Sequence, residues 1–240
     1  IDDPLSAPNA VAGGADRLEL CDNLGDGGTT PSHGIVSLLM GTSTIPVFPI
    51  IRVRGGGFRY DRDELRVMTE DAAHFASMGI RGMVFGALTD RGNIDHEAVL
   101  RIRGAAPDAE LTFHRAFDAC RDPYAALDEL VELGVSRILT SGQRARAWDG
   151  RDLIAELVRR AGDRITVMAG GGISEQDAAD LVQATGVGEI HIRATMIVRD
   201  APGWESWSQV PLRKALPGDE YSRLVTDPQR VAAIRKTVDL

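Results

Sequence analysis

The sequence predicts an α/β fold of the (β/α)8, TIM-barrel-like class in a single domain over residues 1–240, and three observations carry that expectation. Short strand-like runs alternate with helical stretches along the chain, which is the pattern of a parallel sheet. Four helix-to-strand joins repeat one phrase that begins with glycine: Gly14-Ala15-Asp16, Gly79-Ile80-Arg81, Gly134-Val135-Ser136 and Gly186-Val187-Gly188. Glycine suits a helix C-terminus that needs a left-handed residue. An open doubly wound sheet would show one phosphate fingerprint near its start, and none stands there.

Asp2-Asp3-Pro4 reads as a cap and first turn for a short helix over 5–12, and Gly13-Gly14 stops it. A strand over 17–21 follows. A helix leading straight into a buried parallel strand implies a strand before it, so the first of eight strands is expected to be missing from this chain. Further strands are expected over 46–52, 82–86, 111–115, 137–140, 164–169 and 189–192. Helices are expected over 63–78, 96–106, 123–133, 151–161, 175–185 and 227–238. The segment 201–223, with Pro202, Pro211, Pro217, Trp204 and Trp207, reads as one long irregular piece: a lid, a tail across the barrel, or a subunit contact. Met40, Met68 and Met78 have helical neighbours and read as core.

Hydrophobic content of 43% supports a sizeable core, and a formal charge of −8 argues against nucleic acid and anionic membrane as partners. No apolar run approaches the ~20 residues that span a bilayer, and no secretory pattern opens the chain. Two cysteines without a CxxC or Cys/His spacing make neither a disulfide framework nor a zinc site. The cytoplasm is the expected compartment.

Period-two alternation assigns faces. Arg17, Glu19 and Cys21 point to the barrel axis, as do Thr112 and His114, and Glu189, His191 and Arg193. A structural barrel fills its interior with branched apolar side chains, and buried charge is costly unless paired. Convergence of Glu19, His114, His191 and Arg52 therefore predicts a polar pocket, with a mutually paired ion layer as the bland alternative. His114, Arg115, Asp118 and Cys120 gather where a strand stops and a helix is about to begin. The 52–58 stretch places Arg52 and Arg54 beside Gly55-Gly56-Gly57, where they could clamp a carboxylate or phosphate or pair with Glu19 or Asp118. Thr140 and Ser141 offer hydroxyls and amides. Gly170, Gly171 and Gly172 precede a helix, which suits an anion or merely a tight turn.

Several pieces together resemble the CutC family, named for copper homeostasis. They are the 14–21 run ending in Arg17-Leu18-Glu19-Leu20-Cys21, Gly27-Gly28-Thr29-Thr30-Pro31-Ser32, Arg52-Val53-Arg54-Gly55-Gly56 and Val84-Phe85-Gly86. Further on come Thr112-Phe113-His114-Arg115-Ala116-Phe117-Asp118, Leu139-Thr140-Ser141-Gly142-Gln143, Gly170-Gly171-Gly172 and Asp219-Glu220-Tyr221-Ser222. The resemblance covers essentially the whole chain. It implies a TIM-barrel-like fold, a cytoplasmic location, a homo-oligomer (dimer or tetramer) and a role in copper handling. The chain departs from the family pattern in its first strand, in Val53 where proline is usual, and in Ile192-Arg193-Ala194-Thr195, which replaces a run of small residues.

Two readings of the site follow. The family name points to Cu(I), which favours soft thiolates, and a two-thiolate site must use both Cys21 and Cys120. Two small buried cysteines at strand ends are the plain alternative. The other reading is a metal-independent enzyme acting on a small anionic metabolite, phosphorylated or carboxylated. Glu19, His114 and Asp118 would then supply the acid–base chemistry, and Arg52, Arg54, Arg115 and His191 would bind the ligand. A third possibility is a barrel that binds a ligand without transforming it.

Overall fold

A computed structural model describes residues 1–199 and 222–238 of the chain. Its first helix, α1 (Ser6–Ala12), follows an Asp3 carboxylate that accepts the Leu5 and Ser6 backbone amides at 2.9 and 3.0 Å. Seven parallel strands then appear in chain order: β1 (Leu18–Leu20), β2 (Val47–Pro49), β3 (Gly82–Phe85), β4 (Glu110–Phe113), β5 (Arg137–Thr140), β6 (Thr166–Gly170) and β7 (Glu189–His191). Strands β3 to β7 pair in sequence order, and β1 pairs with β2. The two groups join where Ile50 bridges Val84, the Ile51 amide donating to the Val84 carbonyl at 2.7 Å.

Ile1 lies along the far edge of β1. Its nitrogen donates to the Glu19 carbonyl at 2.8 Å and its carbonyl accepts from the Cys21 amide at 2.9 Å. That alternation is a parallel bridge. Among the described residues no strand pairs with the outer edge of β7, and β1 and β7 are joined by side chains rather than by a backbone ladder.

Helices α2 (His33–Thr42), α3 (Arg62–Ser77), α4 (His96–Ala105), α5 (Pro123–Glu132), α6 (Arg151–Ala161), α7 (Ala178–Thr185) and α8 (Pro228–Thr237) cover the strands. Their starts are written in the sequence. Asp61 and Glu64 form a reciprocal capping box on α3, while Asp122-Pro123 and Asp227-Pro228 each place a carboxylate cap before a proline in the first turn. Leu18, Leu20, Leu111 and Phe113 are almost wholly buried in the layer between strands and helices. Each such side chain contributes about 1.5–3 kcal/mol by leaving water.

Three expectations are corrected. Helix α2 was not foreseen, because Leu38 and Met40 on it are exposed and blur its apolar stripe; Met40 is therefore not core, whereas Met68 is fully buried. Helix α7 begins at Ala178, not 175, since the Asp177 carboxylate holds Ser174 in a preceding turn. Most of the 201–223 stretch lies outside the described residues, but Ser222 and Arg223 belong to β9 (Ser222–Thr226), which pairs antiparallel with β8 (Thr195–Arg199). The run from Thr195 to Arg199, with the β-branched Thr195, Ile197 and Val198, suits that ribbon.

Candidate functional site

A cavity of about 400 Å³ reaches from the barrel interior between β1 and β7 towards α1 and α8; Arg17, Glu19, Cys21, Thr112, Glu189, His191 and Arg193 line it, as do Leu18, Ile190 and Ile192 of the opposite strand faces. Contacts inside the barrel, Arg17 with Glu189, Arg137 with Thr112 and Glu19 with His191, put the residues expected on the inner face there.

At the starts of the strands the cavity is closed by a network. Glu189 receives Arg17 and, on two oxygens, Arg137, whose Nε and Nη2 lie at 2.5 and 2.9 Å; Arg137 also donates to the Thr112 hydroxyl at 3.3 Å. Burial pushes the Glu189 carboxyl pKa up, but the hydrogen bonds from Arg137 and Arg17 outweigh it and hold the group below the usual range. Arg137 was absent from the expected site; its place at the start of β5, beside the inward Thr112, was the available signal.

Nearer the strand ends, the Glu19 carboxylate faces His191 Nδ1 at 3.6 Å. Burial lowers the His191 pKa and the Glu19 charge works against that fall. Cys21 is buried beside them with Sγ 3.3 Å from the Ile1 carbonyl, and burial pushes its thiol up to about 12. Arg193 is exposed at the rim.

His114 is not in this cavity. It follows β4, is 5% exposed, and packs its ring 5.1 Å from Phe58. The Ala116 amide donates to its Nδ1 at 3.1 Å. Burial, with the nearby Arg52 charge, drives its pKa down to about 3, so the ring is neutral at pH 7. A Cβ on Gly86 would stand 2.5 Å from the His114 ring, which is why the strand must carry glycine there.

Asp118 is committed elsewhere. Its carboxylate accepts Thr140 Oγ1 at 2.6 Å, the Ser141 amide at 2.9 Å, Ser141 Oγ at 2.9 Å, the Gln143 amide at 3.1 Å and Arg115 Nε at 2.7 Å. It organises the loop after β5 and leaves no oxygen for acid–base work. Arg115 and Thr140 are spent in the same network, and the fully buried Ser141 hydroxyl accepts from Arg115 and shares its one proton between Asp118 and the Arg144 carbonyl.

Arg54 likewise forks onto Glu64 and three loop carbonyls, so it caps the start of α3 and does not face the cavity. Arg52 is buried and spends Nη1 and Nη2 on the carbonyls of Asp26, Gly28 and Gly56. Neither pairs with Glu19 or Asp118. Gly170 passes beside Leu139 and His191, Gly171 beside Ser141 and Arg115, and Gly172 beside Arg146, but the carbonyls of Gly171 and Gly172 accept from Ala147 and Arg146, and the Asp177 carboxylate occupies the turn before α7. That turn is ill suited to a second anion.

Cys120 is buried in a different cluster from Cys21, its carbonyl held by Gln143 Nε2 at 2.7 Å. Burial and the Asp118 and Asp122 charges push its thiol up to about 12. Among the described residues no group of three or more His, Cys, Asp or Glu could hold a metal ion. No helix among them is long and apolar enough to cross a membrane.

Fold and cavity define a TIM-barrel-like protein with a polar interior. Phosphoribosyl anthranilate isomerase from Thermococcus kodakaraensis shares that fold, at a TM-score of 0.57, 13% identity, and coverage of 100% of this chain and 95% of that one. The chain belongs to the CutC family, whose model matches residues 1–196. The human protein described as copper homeostasis protein cutC homolog is 42% identical over 98% of this chain and 85% of its own length. A family protein CutC from Parabacteroides distasonis is 42% identical over 95% of this chain and 94% of its own. The crystal structure of the Streptococcus agalactiae CutC protein superposes with a TM-score of 0.71 at 38% identity, covering 74% of this chain and 88% of that one.

Proposed function

We propose that the chain serves copper homeostasis, the role for which its relatives are named, and that its working site is the cavity holding Glu19 and His191. The observation that supports this site is the carboxylate–imidazole pair, 3.6 Å apart and facing a volume of about 400 Å³. With its pKa lowered, His191 is neutral at pH 7 and able to accept a proton. Glu19 beside it would stabilise the imidazolium that forms. Arg193 at the rim suits an anionic substituent. The ligand class is a small phosphorylated or carboxylated metabolite, and the chemistry is proton transfer. A homo-oligomer in the cytoplasm belongs to the same proposal, and light scattering of the purified protein tests its first half.

A two-cysteine Cu(I) centre fits the residues poorly. The thiols lie in separate clusters, and each must lose a proton held by burial before it can bind metal. The deciding experiment titrates the reduced protein with Cu(I) against a competing chelator, with the Cys21→Ser/Cys120→Ser variant alongside. Equal, weak retention by the two proteins is the expected result. Stoichiometric copper held against the chelator and lost in the double variant would overturn it. In parallel, a screen of anionic metabolites by thermal shift should return hits whose effect Glu19→Gln and His191→Ala abolish.

A further inference from the structure

Among the described residues, the buried side-chain polar atoms without a hydrogen-bond partner are Arg52 Nε, Tyr60 Oη and His114 Nε2. Chance would scatter such atoms, yet the Arg52 charge acts on both of the other two groups. The Arg52 guanidinium lies 5.3 Å from the Phe58 ring centre and the His114 ring lies 5.1 Å from it. Tyr60 stands within reach of Arg52, whose charge and donated hydrogen bond oppose the rise that burial causes in its hydroxyl pKa; the contact is too poorly aligned to satisfy either group, and it leaves the Tyr60 O–H proton without an acceptor. The three residues are 4%, 7% and 5% exposed. Unpaired polar atoms at that depth are rare and call for an explanation.

Their chemistry is one-sided. The guanidinium Nε can only donate. His114 Nδ1 accepts from the Ala116 amide, which places the ring proton on Nε2, so that atom also can only donate. The Tyr60 hydroxyl can complete the set by donating. Arg52 adds a full positive charge with no carboxylate within ion-pair distance among the described residues, its other nitrogens resting on neutral carbonyls. A buried cation beside two donors wants a negatively charged acceptor. A water oxygen accepts two hydrogen bonds, whereas a carboxylate oxygen pair offers about four acceptor sites.

We propose that Arg52, Tyr60 and His114 form a binding site for one small carboxylate group, walled by Phe58 and separate from the Glu19–His191 cavity. The half-exposed Phe58 is carried on the loop that includes Gly55, Gly56 and Gly57, so the outer wall is the part of the site free to give way. The carboxylate can belong to a free acid or to the end of a larger molecule, and the shared chemistry is a planar anion taken by two or three donors.

Isothermal titration at constant ionic strength with formate and acetate, and separately with a larger monocarboxylate such as benzoate, tests this. Saturable binding of formate or acetate that Tyr60→Phe weakens about tenfold, roughly the 1.4 kcal/mol of one good hydrogen bond, is the expected result, with the exposed Arg59→Ala leaving it unchanged. Benzoate binding at the same site would assign the carboxylate to a larger molecule, and its exclusion to a free small acid. Equal affinity in Tyr60→Phe and the unaltered protein would overturn the proposal, because the anion would be held elsewhere. So would the absence of saturable binding of formate, acetate and benzoate alike. Because Tyr60→Phe removes one oxygen and no carbon, it keeps the packing and the comparison remains readable.

Discussion

Around Glu189 the barrel places two guanidinium groups, Arg17 and Arg137, on one carboxylate; around Arg52 it places one guanidinium, a hydroxyl and an imidazole with no carboxylate. The first group contains its own counter-charge and has its donors and acceptors matched, as the Asp118 loop does with five acceptor contacts. The second has donors left over. Buried polar residues of the same types thus serve closure at one end of the strands and hold unspent binding capacity at the other. Satisfaction of hydrogen bonds, not the mere presence of charge, separates scaffold from site.

The contrast is tested most severely at its satisfied pole. Glu189→Ala removes the counter-ion of Arg17 and leaves Arg137 only the more distant Glu110 at 3.6 Å, and urea unfolding should show a loss of about 3 kcal/mol, at the low end for a broken buried pair because the carboxylate is partly exposed. A change below 0.5 kcal/mol, as at an ordinary surface position, would mean the network is not holding the barrel. The same group has a pH signature. Its folded pKa is below the ordinary 4.5, so the stabilisation is complete above that value and is lost as pH falls through the lower folded value. In a Glu189→Gln protein the acid limb of melting temperature against pH should flatten accordingly.

Asp118→Asn should cost somewhat less, about 2 kcal/mol, because the amide keeps the shape but replaces one acceptor oxygen with a donor facing amides and hydroxyls. Any metabolite turnover found at the Glu19–His191 cavity should survive that change once the protein is folded; a specific loss of turnover at unchanged stability would return Asp118 to the chemistry. The smallest effect, about 1.5 kcal/mol, belongs to Gly86→Ala, whose new methyl must displace the His114 ring. A shift of the His114 ring resonances by nuclear magnetic resonance should accompany it.

The alternating pattern of the sequence carried the architecture well. Glycine-marked joins and Asp or Asp-Pro helix starts were readable because they are local, and inward assignment of Arg17, Glu19, Glu189 and His191, which meet between β1 and β7, needed only period two. Partnering was not readable. Arg54 found Glu64 ten residues away, and Asp118 found the loop after β5, which only the folded chain brings near. His114 was assigned to the axis by alternation, yet β4 ends at Phe113, and beyond a strand end the alternation no longer fixes direction. Tyr60 carried no signal at all, being one aromatic in a loop until its hydroxyl is seen buried beside Arg52 with no acceptor for its proton.

The two side-chain contacts that tie β1 to β7, Arg17 with Glu189 and Glu19 with His191, have a mechanical consequence. Both are held by charge and respond to acidity and salt, unlike the backbone ladders that join β3 to β7. They act as a clasp whose grip depends on the medium, and amide hydrogens on β1 and β7 should be the first of the strand amides to exchange when pH is lowered.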